Sequence, residues 1–459
     1  MPVQQVKNKK GANSMTEKDK VCQVAMWDGA SCGRELYDDE YCIFHSRKPD
    51  KDGGLFQKKL DDIFKEESFK IYDFSNFIFP EEISFPYVID KKIIFRNATF
   101  SGFILFYDTI FQKEADFEGT TFQGRTQFYA IFQKEANFTR AAFQHDAYFM
   151  GKAFKSTARF VKATFSRKAD FTGVDFQDAH FSDAVFKKDA SFTATTFNEV
   201  SEFCGVTFEG KVTFEAAIFK DALLLNEERK KNRVFSNKEV NFRYTRFLRP
   251  EEVIFRKVDL GKFRFIDTDL RKVEFISVDW YKEKGRNKIY DEVSPDPETK
   301  KFDYSLIAQV YKRLRANYEK NLNYAEAGDF HIGEMEMRRK GEKNIYNKAV
   351  IWLYKLISNY GESFWRPLGW IALLILIFPF LYMLVGITPS YNIDINQNFE
   401  TLRDYGSSLT YSLSVFSLVR ERPYHTINNL GHFFTILESI FSPVLIAFFL
   451  LALRRRFKR

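Results

Sequence analysis

Phenylalanine returns every five or six residues through much of the first half of this chain. From Phe138 the series runs Phe143, Phe149, Phe154, Phe160, Phe165, Phe171, Phe176, Phe181, Phe186, Phe192, Phe197, Phe203, Phe208, Phe214 and Phe219. A helical period of 3.6 would scatter these rings around an axis. A strand period of 2 cannot hold steps of five and six on one face. A repeat this short and persistent predicts a solenoid, in which each coil buries its apolar side on the next. Two residues before the aromatic the chain is small or β-branched, as at Ala115, Ala136, Ala158, Ala169, Ala179, Ala190, Thr195, Val206 and Val212. One large and one small inward position per turn fill a narrow interior without voids.

The series begins irregularly at Phe74, Phe79 and Phe85 and settles from Phe95. It slips at Phe128–Phe132. Leu223–Asn241, with the charged run Glu227-Glu228-Arg229-Lys230-Lys231, interrupts it. A strict five then follows through Phe255, Leu260, Phe265, Leu270, Phe275 and Trp280. Residues 55–66 read as a short amphipathic helix placed to cap the open end of the solenoid. From Phe74 to Trp280 the chain resembles the pentapeptide-repeat family, with Phe at the central position and Ala two before it. The resemblance implies a mainly β fold, a right-handed quadrilateral β-helix. Four turns per coil give about ten coils at ~4.8 Å each. The six-residue step departs from the family's standard repeat and leaves open whether every corner turns alike.

Between Phe95 and Phe219 there are 14 Lys/Arg and 15 Asp/Glu. A near-neutral rod is a poor DNA mimic, and the aromatic period says core rather than base stacking, so no nucleic-acid partner is expected. Residues 1–20 are polar and basic, with no apolar core, and read as a disordered lead-in rather than a secretory signal. Cys22-x9-Cys32-x9-Cys42-x2-His45 offers four soft ligands, suited to a closed, structural tetrahedral Zn²⁺ site. The competing reading is three free thiols with an incidental His. Cys204 is expected as a solenoid residue without chemical role, and His145 and His180 as surface residues. No phosphate-cradling glycine loop, paired carboxylates or nucleophile constellation is present, so the chain is not expected to be an enzyme.

Residues 281–303 read as a linker, and residues 304–345 as a helical hairpin. Leu306, Ile307, Val310, Leu314 and Tyr318 share one stripe, Phe330, Met335 and Met337 lie on the second helix, and Gly328 falls in or near the turn. Leu368–Ile387 is twenty uncharged residues, long enough to span a bilayer, with a kink expected at Pro379. Trp365, Trp370 and Tyr382 stand where interfacial anchors belong. A second span runs from about His432 to Leu453, apolar except for Glu438. Tyr405–Val419 between them suits a re-entrant or surface helix. Basic residues precede the first span (Arg338, Arg339, Lys340, Lys343, Lys348, Lys355, Arg366) and follow the second (Arg454–Arg459). Only Arg403, Arg420 and Arg422 lie in the connection. Both termini are therefore expected in the cytoplasm, with the spans in the inner membrane.

The expected plan is a lead-in (1–20), a Cys3His zinc module (21–54), a capping helix (55–73), the solenoid (74–280), a linker (281–303), a hairpin and juxtamembrane segment (304–366), and a two-span membrane domain (367–459). The tail resembles the ion-channel-like domain attached to some bacterial pentapeptide-repeat proteins. Ala327-Gly328-Asp329-Phe330, Gly333-Glu334-Met335-Glu336-Met337-Arg338-Arg339, Tyr360-Gly361-Glu362, Arg366-Pro367-Leu368 and Leu451–Phe457 carry the likeness. It implies a homo-oligomer, a tetramer, around a pore. The stretch Ser414–Pro423 has no Gly-Tyr-Gly, so potassium selectivity is not carried over. Glu438, Arg420, Glu421 and Arg422 are the pore candidates. For Glu438 the alternative is a span that begins later and leaves it at the outer interface; for the other three it is a solvated loop. Two functions follow: a solenoid sensor or partner-binding rod coupled to a pore, or a non-conducting membrane scaffold that tethers protein partners.

Overall fold

The computed structural model describes residues 21–151, 153–226, 238–390, 402–420 and 422–457. The lead-in, the charged run Glu227–Lys231, Glu421 and the last two residues lie outside these. The chain divides into two compact units, one reaching Lys282 and including Ile289–Val293, the other holding Glu283–Lys288 and Ser294–Arg459.

In the first unit the phenylalanines stack in four columns. Phe95, Phe117, Phe138, Phe160, Phe181 and Phe203 form one, with neighbouring centroids 4.7–5.0 Å apart. Phe79, Phe100, Phe122, Phe143, Phe165, Phe186 and Phe208 form the second. Phe106, Phe128, Phe149, Phe171, Phe192, Phe214 and Phe242 form the third. Phe111, Phe132, Phe154, Phe176, Phe197 and Phe219 form the fourth. Four columns mean four sides. The ring spacing is the spacing of hydrogen-bonded parallel strands, so each ring rides on a rung of the ladder, as in Ala136↔Ala158 and Phe143↔Phe165. The result is a mainly β solenoid of about nine turns.

The uneven steps have a geometric cause. After a ring of the first or third column the chain makes a tight turn, with Ala141 N donating to Phe138 O and Val174 N donating to Phe171 O. The second residue past the ring takes positive φ: Arg140, Lys162, Asp183 and Ala194, or glycine at Gly173 and Gly205. These turns account for the five-residue steps. The second column leads to the third by six residues (Phe143 to Phe149, Phe165 to Phe171) through an open bend. Extra residues elsewhere become bulges. The register shifts between Phe154 and Thr157, where a six-residue step lies against the five of Phe176–Phe181. It shifts again between Tyr107 and Ile110, where Phe106–Phe111 lies against the shorter Phe128–Phe132. That is the slip seen in the sequence.

The ladder is not interrupted at Leu223–Asn241, contrary to expectation. Leu223–Asn226 pairs with Val253–Arg256, and Val240–Asn241 pairs with Phe263–Arg264. The rungs on either side of residues 227–237 thus stay in register. Buried threonines follow the same economy: Thr120, Thr195 and Thr245 each donate to a carbonyl of the neighbouring coil at 2.7 Å, so no hydroxyl is buried unpaired at these three. The 281–303 segment is more ordered than a linker, with a short strand pairing (Tyr281–Glu283 with Arg286–Lys288) and a helical turn at Tyr290–Val293.

Helix α1 (Gly53–Lys65) is capped by Asp52, whose carboxylate accepts from Leu55 N, and buries Phe56 and Leu60. After the four-residue turn α2 (Tyr290–Val293), the second unit is helical. α3 (Tyr304–Lys320) and α4 (Tyr324–Gly341) form the hairpin, turning at residues 321–323; Gly328 is buried inside α4 rather than at the turn. Gly333 lets the two helices close up, since a Cβ there would sit 2.5 Å from the Tyr311 ring. α5 (Ile345–Ser358) had no counterpart in the sequence reading. α6 (Trp365–Val385) carries Pro379, α7 (Tyr405–Phe416) is capped by Asp404, and α8 (Asn429–Phe457) carries Pro443. α6 and α8 are long and apolar enough to cross a membrane, with mean hydropathy 2.5 and 2.3. Only 22% of either apolar stretch is covered by protein, which is little for a soluble core helix.

Candidate metal centre and buried glutamate

The metal centre is built where two loops meet the first coil. Val21↔Glu35 and Ala25↔Ser31 pair across a small irregular hairpin that carries Cys22 and Cys32. A turn closed by His45 N and Ser46 N donating to Cys42 O brings Cys42 and His45 together. The four ligand atoms lie within 4.8 Å of one another. Cys32 Sγ is 3.7 Å from Cys42 Sγ, and His45 Nδ1 is 3.4 Å from Cys22 Sγ and 3.2 Å from Cys42 Sγ. Metal bonds of about 2.3 Å to sulfur and about 2.0 Å to nitrogen place tetrahedral ligands roughly 3.5–3.7 Å apart, close to the three distances above, so the cluster could hold a metal ion.

The surroundings agree. His45 Nε2 lies 3.2 Å from the Ser75 carbonyl; a carbonyl only accepts, so the proton sits on Nε2 and Nδ1 offers its lone pair to the cluster. Arg34 donates to Cys32 Sγ at 3.2 Å. The Cys32 thiol is drawn down to about 3, first by the Cys42 thiol beside it, with His45 and Arg34 adding to this against the effect of burial. The same pairing pushes Cys42 upward.

The module also closes the solenoid. Ile78 N donates to Phe44 O, Asn76 Nδ2 to Ala25 O, and Trp27 N to Asp73. Phe44 stacks on Phe77 at 4.5 Å, and Phe56 of α1 meets Phe44 and Phe79 edge-on. Lys51 is buried with its ammonium donating to Ile43 O, Ser46 O and Ile78 O, and burial lowers it to about 8. The cysteine module and α1 together cover the first rung, which would otherwise be an exposed strand edge.

Of the pore candidates, Glu438 on α8 is fully buried. Tyr382 of α6 donates to its Oε2 at 2.7 Å and Ser412 of α7 to its Oε1 at 2.5 Å. Tyr411 and Thr435 bond beside them at 3.0 Å. Glu438 therefore ties α6, α7 and α8 within one chain, and Tyr382 is an interior residue, not an interfacial anchor. Arg420 is exposed and Arg422 half-buried, its carbonyl accepting from Ser390; Glu421 lies outside the described residues. Cys204 is a half-exposed solenoid residue. His180 is not a free surface residue: it sits 2.9 Å from both Asp178 and Glu202.

Sequence reasoning missed a polar network at the base of α6 and α8. Glu336 accepts from Lys355, Tyr360 and Arg339. Burial opposes its ionisation, but these three donors hold it down to about 2. Arg455 at the end of α8 donates to the Tyr360 carbonyl and to Glu362, each at 3.0 Å. The only signal was the cluster of charges among apolar residues in α4, whose burial the pattern did not reveal.

The nine-copy pentapeptide-repeat family model matches residues 153–196. The solenoid is thus a pentapeptide-repeat solenoid, followed by two helices of membrane-spanning character. An uncharacterized protein of Methanocaldococcus jannaschii is 28% identical over 159 residues, covering 30% of this chain and 34% of that protein. The match thus spans about a third of that relative's length. No solved structure matches the chain.

Proposed function

We propose that this protein is a membrane-anchored pentapeptide-repeat scaffold. Its solenoid binds a protein partner, a structural Zn²⁺ holds its N-terminal cap, and α6 and α8 anchor it with both ends in the cytoplasm. The observation that carries the reading is a run of exposed apolar residues up one side of the first coils. Tyr107 and Tyr129 are rung neighbours with rings 6.2 Å apart, and Val88, Ile110 and Ile131 follow one another up the same side. Tyr87, at 69% exposure, and Phe103, at 48%, extend it. Contiguous outward aromatics of this kind mark binding surfaces more often than solvent faces. Zinc is the ion that suits three thiolates and one imidazole in a closed tetrahedral set.

The test is affinity capture with full-length protein in detergent, comparing wild type with Tyr107→Lys/Tyr129→Lys. Loss of specific partners with unchanged thermal unfolding supports the reading, and identical capture by both proteins overturns it.

The oligomeric-pore reading keeps one observation in its favour. α7 lies between two spans, and the antiparallel pairing of Ile387–Pro389 with Tyr424–Thr426 closes the entry and exit of the segment that carries it. Purified protein in vesicles should then pass ions. Flux altered by Glu438→Gln would establish that reading over the scaffold.

A further inference from the structure

α5 is amphipathic in an unusual direction. Ile345, Tyr346, Val350, Trp352, Leu353 and Leu356 all point away from the protein, at 36–80% exposure. At 100° per residue they span one continuous side. The opposite side is the packed one: Tyr354 contacts Tyr360 and Phe448, Lys355 pairs with Glu336, and Ser358 is buried. The apolar face is thus not a core face left over by chance. A polar network holds the helix by its other side.

The end of α5 fixes where that face lies along the chain. Asn359, Tyr360 and Gly361 all take positive φ and turn it sharply into α6. Arg366 donates to Lys355 O at 2.9 Å, and Trp370 Nε1 reaches Leu356 O at 3.4 Å. The helix is therefore clamped against the first turns of α6, whose own outward side is apolar at Leu368, Leu373 and Leu376. The Trp370–Leu356 contact joins a partly exposed residue of each helix, Leu356 on α5 and Trp370 on α6. Lys343 precedes α5 and Lys348 borders its apolar side, the placement in which ammonium groups reach headgroup phosphates while their stems stay apolar.

We propose that the outward face of α5 lies in the headgroup layer of the lipid bilayer that α6 crosses, as an interfacial helix. This rests on the membrane-anchored reading above. Its occupant is lipid, because the apolar face is clamped beside the exposed apolar start of α6, the helix that lipid must cover.

Tryptophan emission tests it. Full-length protein is reconstituted into phosphatidylglycerol vesicles, plain or brominated near the headgroup end of the acyl chains. Subtracting Trp352→Phe from wild type isolates the Trp352 signal, and Trp370→Phe isolates the signal of a residue on α6. The expected result is that bromine removes roughly half of the Trp352 component or more while aqueous iodide leaves it unchanged. A Trp352 component quenched by iodide alone places the face in water. One quenched by neither places it against a second copy. Either result, with Trp370 still quenched by bromine, overturns this proposal alone. Loss of bromine quenching at Trp370 as well overturns the anchored reading with it.

Discussion

At the scale of single residues, the coil geometry sorts glycines from their neighbours. Gly124 has no room for a side chain: a Cβ would lie 2.2 Å from the Gly102 carbonyl oxygen of the coil beneath. Gly124→Ala should cost at least ~3 kcal/mol in urea unfolding, because backbone rather than a movable side chain is in the way. Lys162 presents the opposite case, a β-carbon held at φ +59°. Lys162→Gly should leave stability unchanged or raise it by up to about 1 kcal/mol, the relief of left-handed strain offset by the entropy of glycine. Asp291 gives a pH signature. It is fully buried, accepts from Phe265 N at 2.8 Å, and burial raises it to about 6 despite Arg264. A folded-state value above the unfolded 3.8 means that the native protein binds the proton more tightly. Stability therefore falls as pH rises from about 4 to 6 and stays lower above that, by at most ~3 kcal/mol. Asp291→Asn should flatten this slope in thermal unfolding measured across that window. None of these three positions announces itself in the sequence. The repeat shows which residues face inward, but not that Gly124 touches a backbone or that Asp291 lies under Arg264.

At the scale of elements, the proposed Zn²⁺ would make the N-terminal cap depend on Cys22, Cys32, Cys42 and His45. Chelation, or Cys42→Ala, should raise amide exchange first at Ile78 and Thr99, since Ile78 N is bonded to Phe44 O and Thr99 N to Phe77 O. Loss of a structural metal of this kind should lower stability by several kcal/mol. Amide exchange in the middle coils should change little. If exchange rises uniformly along the rod instead, the module is not an end cap. The ligand set was legible from spacing alone; Ser75 and Arg34, which orient it, were not, because they become neighbours only when the first coil closes. In the helical unit, Glu438→Ala removes the acceptor shared by Tyr382 and Ser412 and strands two buried hydroxyls. It should lower the midpoint of thermal unfolding in detergent, with Glu438→Gln intermediate. The two long apolar helices were legible because some twenty apolar residues in a row need no partner to be recognised. α5 was not, because its apolar side faces outward and its buried side is polar, the reverse of the pattern that marks a packed helix.

At the scale of the whole molecule, the anchored reading predicts that the protein stays with membranes through alkaline carbonate extraction, while residues 1–293 expressed alone are released. The first unit should be largely β by far-UV circular dichroism and the second largely helical. The sequence disclosed the solenoid almost completely, since a five-residue period has few physical solutions. The aromatic series lapses over Leu223–Asn241, yet the strands on either side still pair rung to rung, because a gap in the series does not by itself say whether the backbone ladder continues.

The stacked rungs carry one more consequence. In the middle of the rod each coil is 21 or 22 residues long, as Phe117 to Phe138 and Phe138 to Phe160 show. The rungs of each of these coils pair with the coils immediately above and below, and the N-terminal cap lies at one end of the stack. Deleting residues 139–160, one full circuit, would leave every remaining ring above and below with a partner in its own column. The rod is therefore a ruler graduated in steps of ~4.8 Å, whose reach evolution or an engineer can reset one notch at a time while the cap at its start stays as it is.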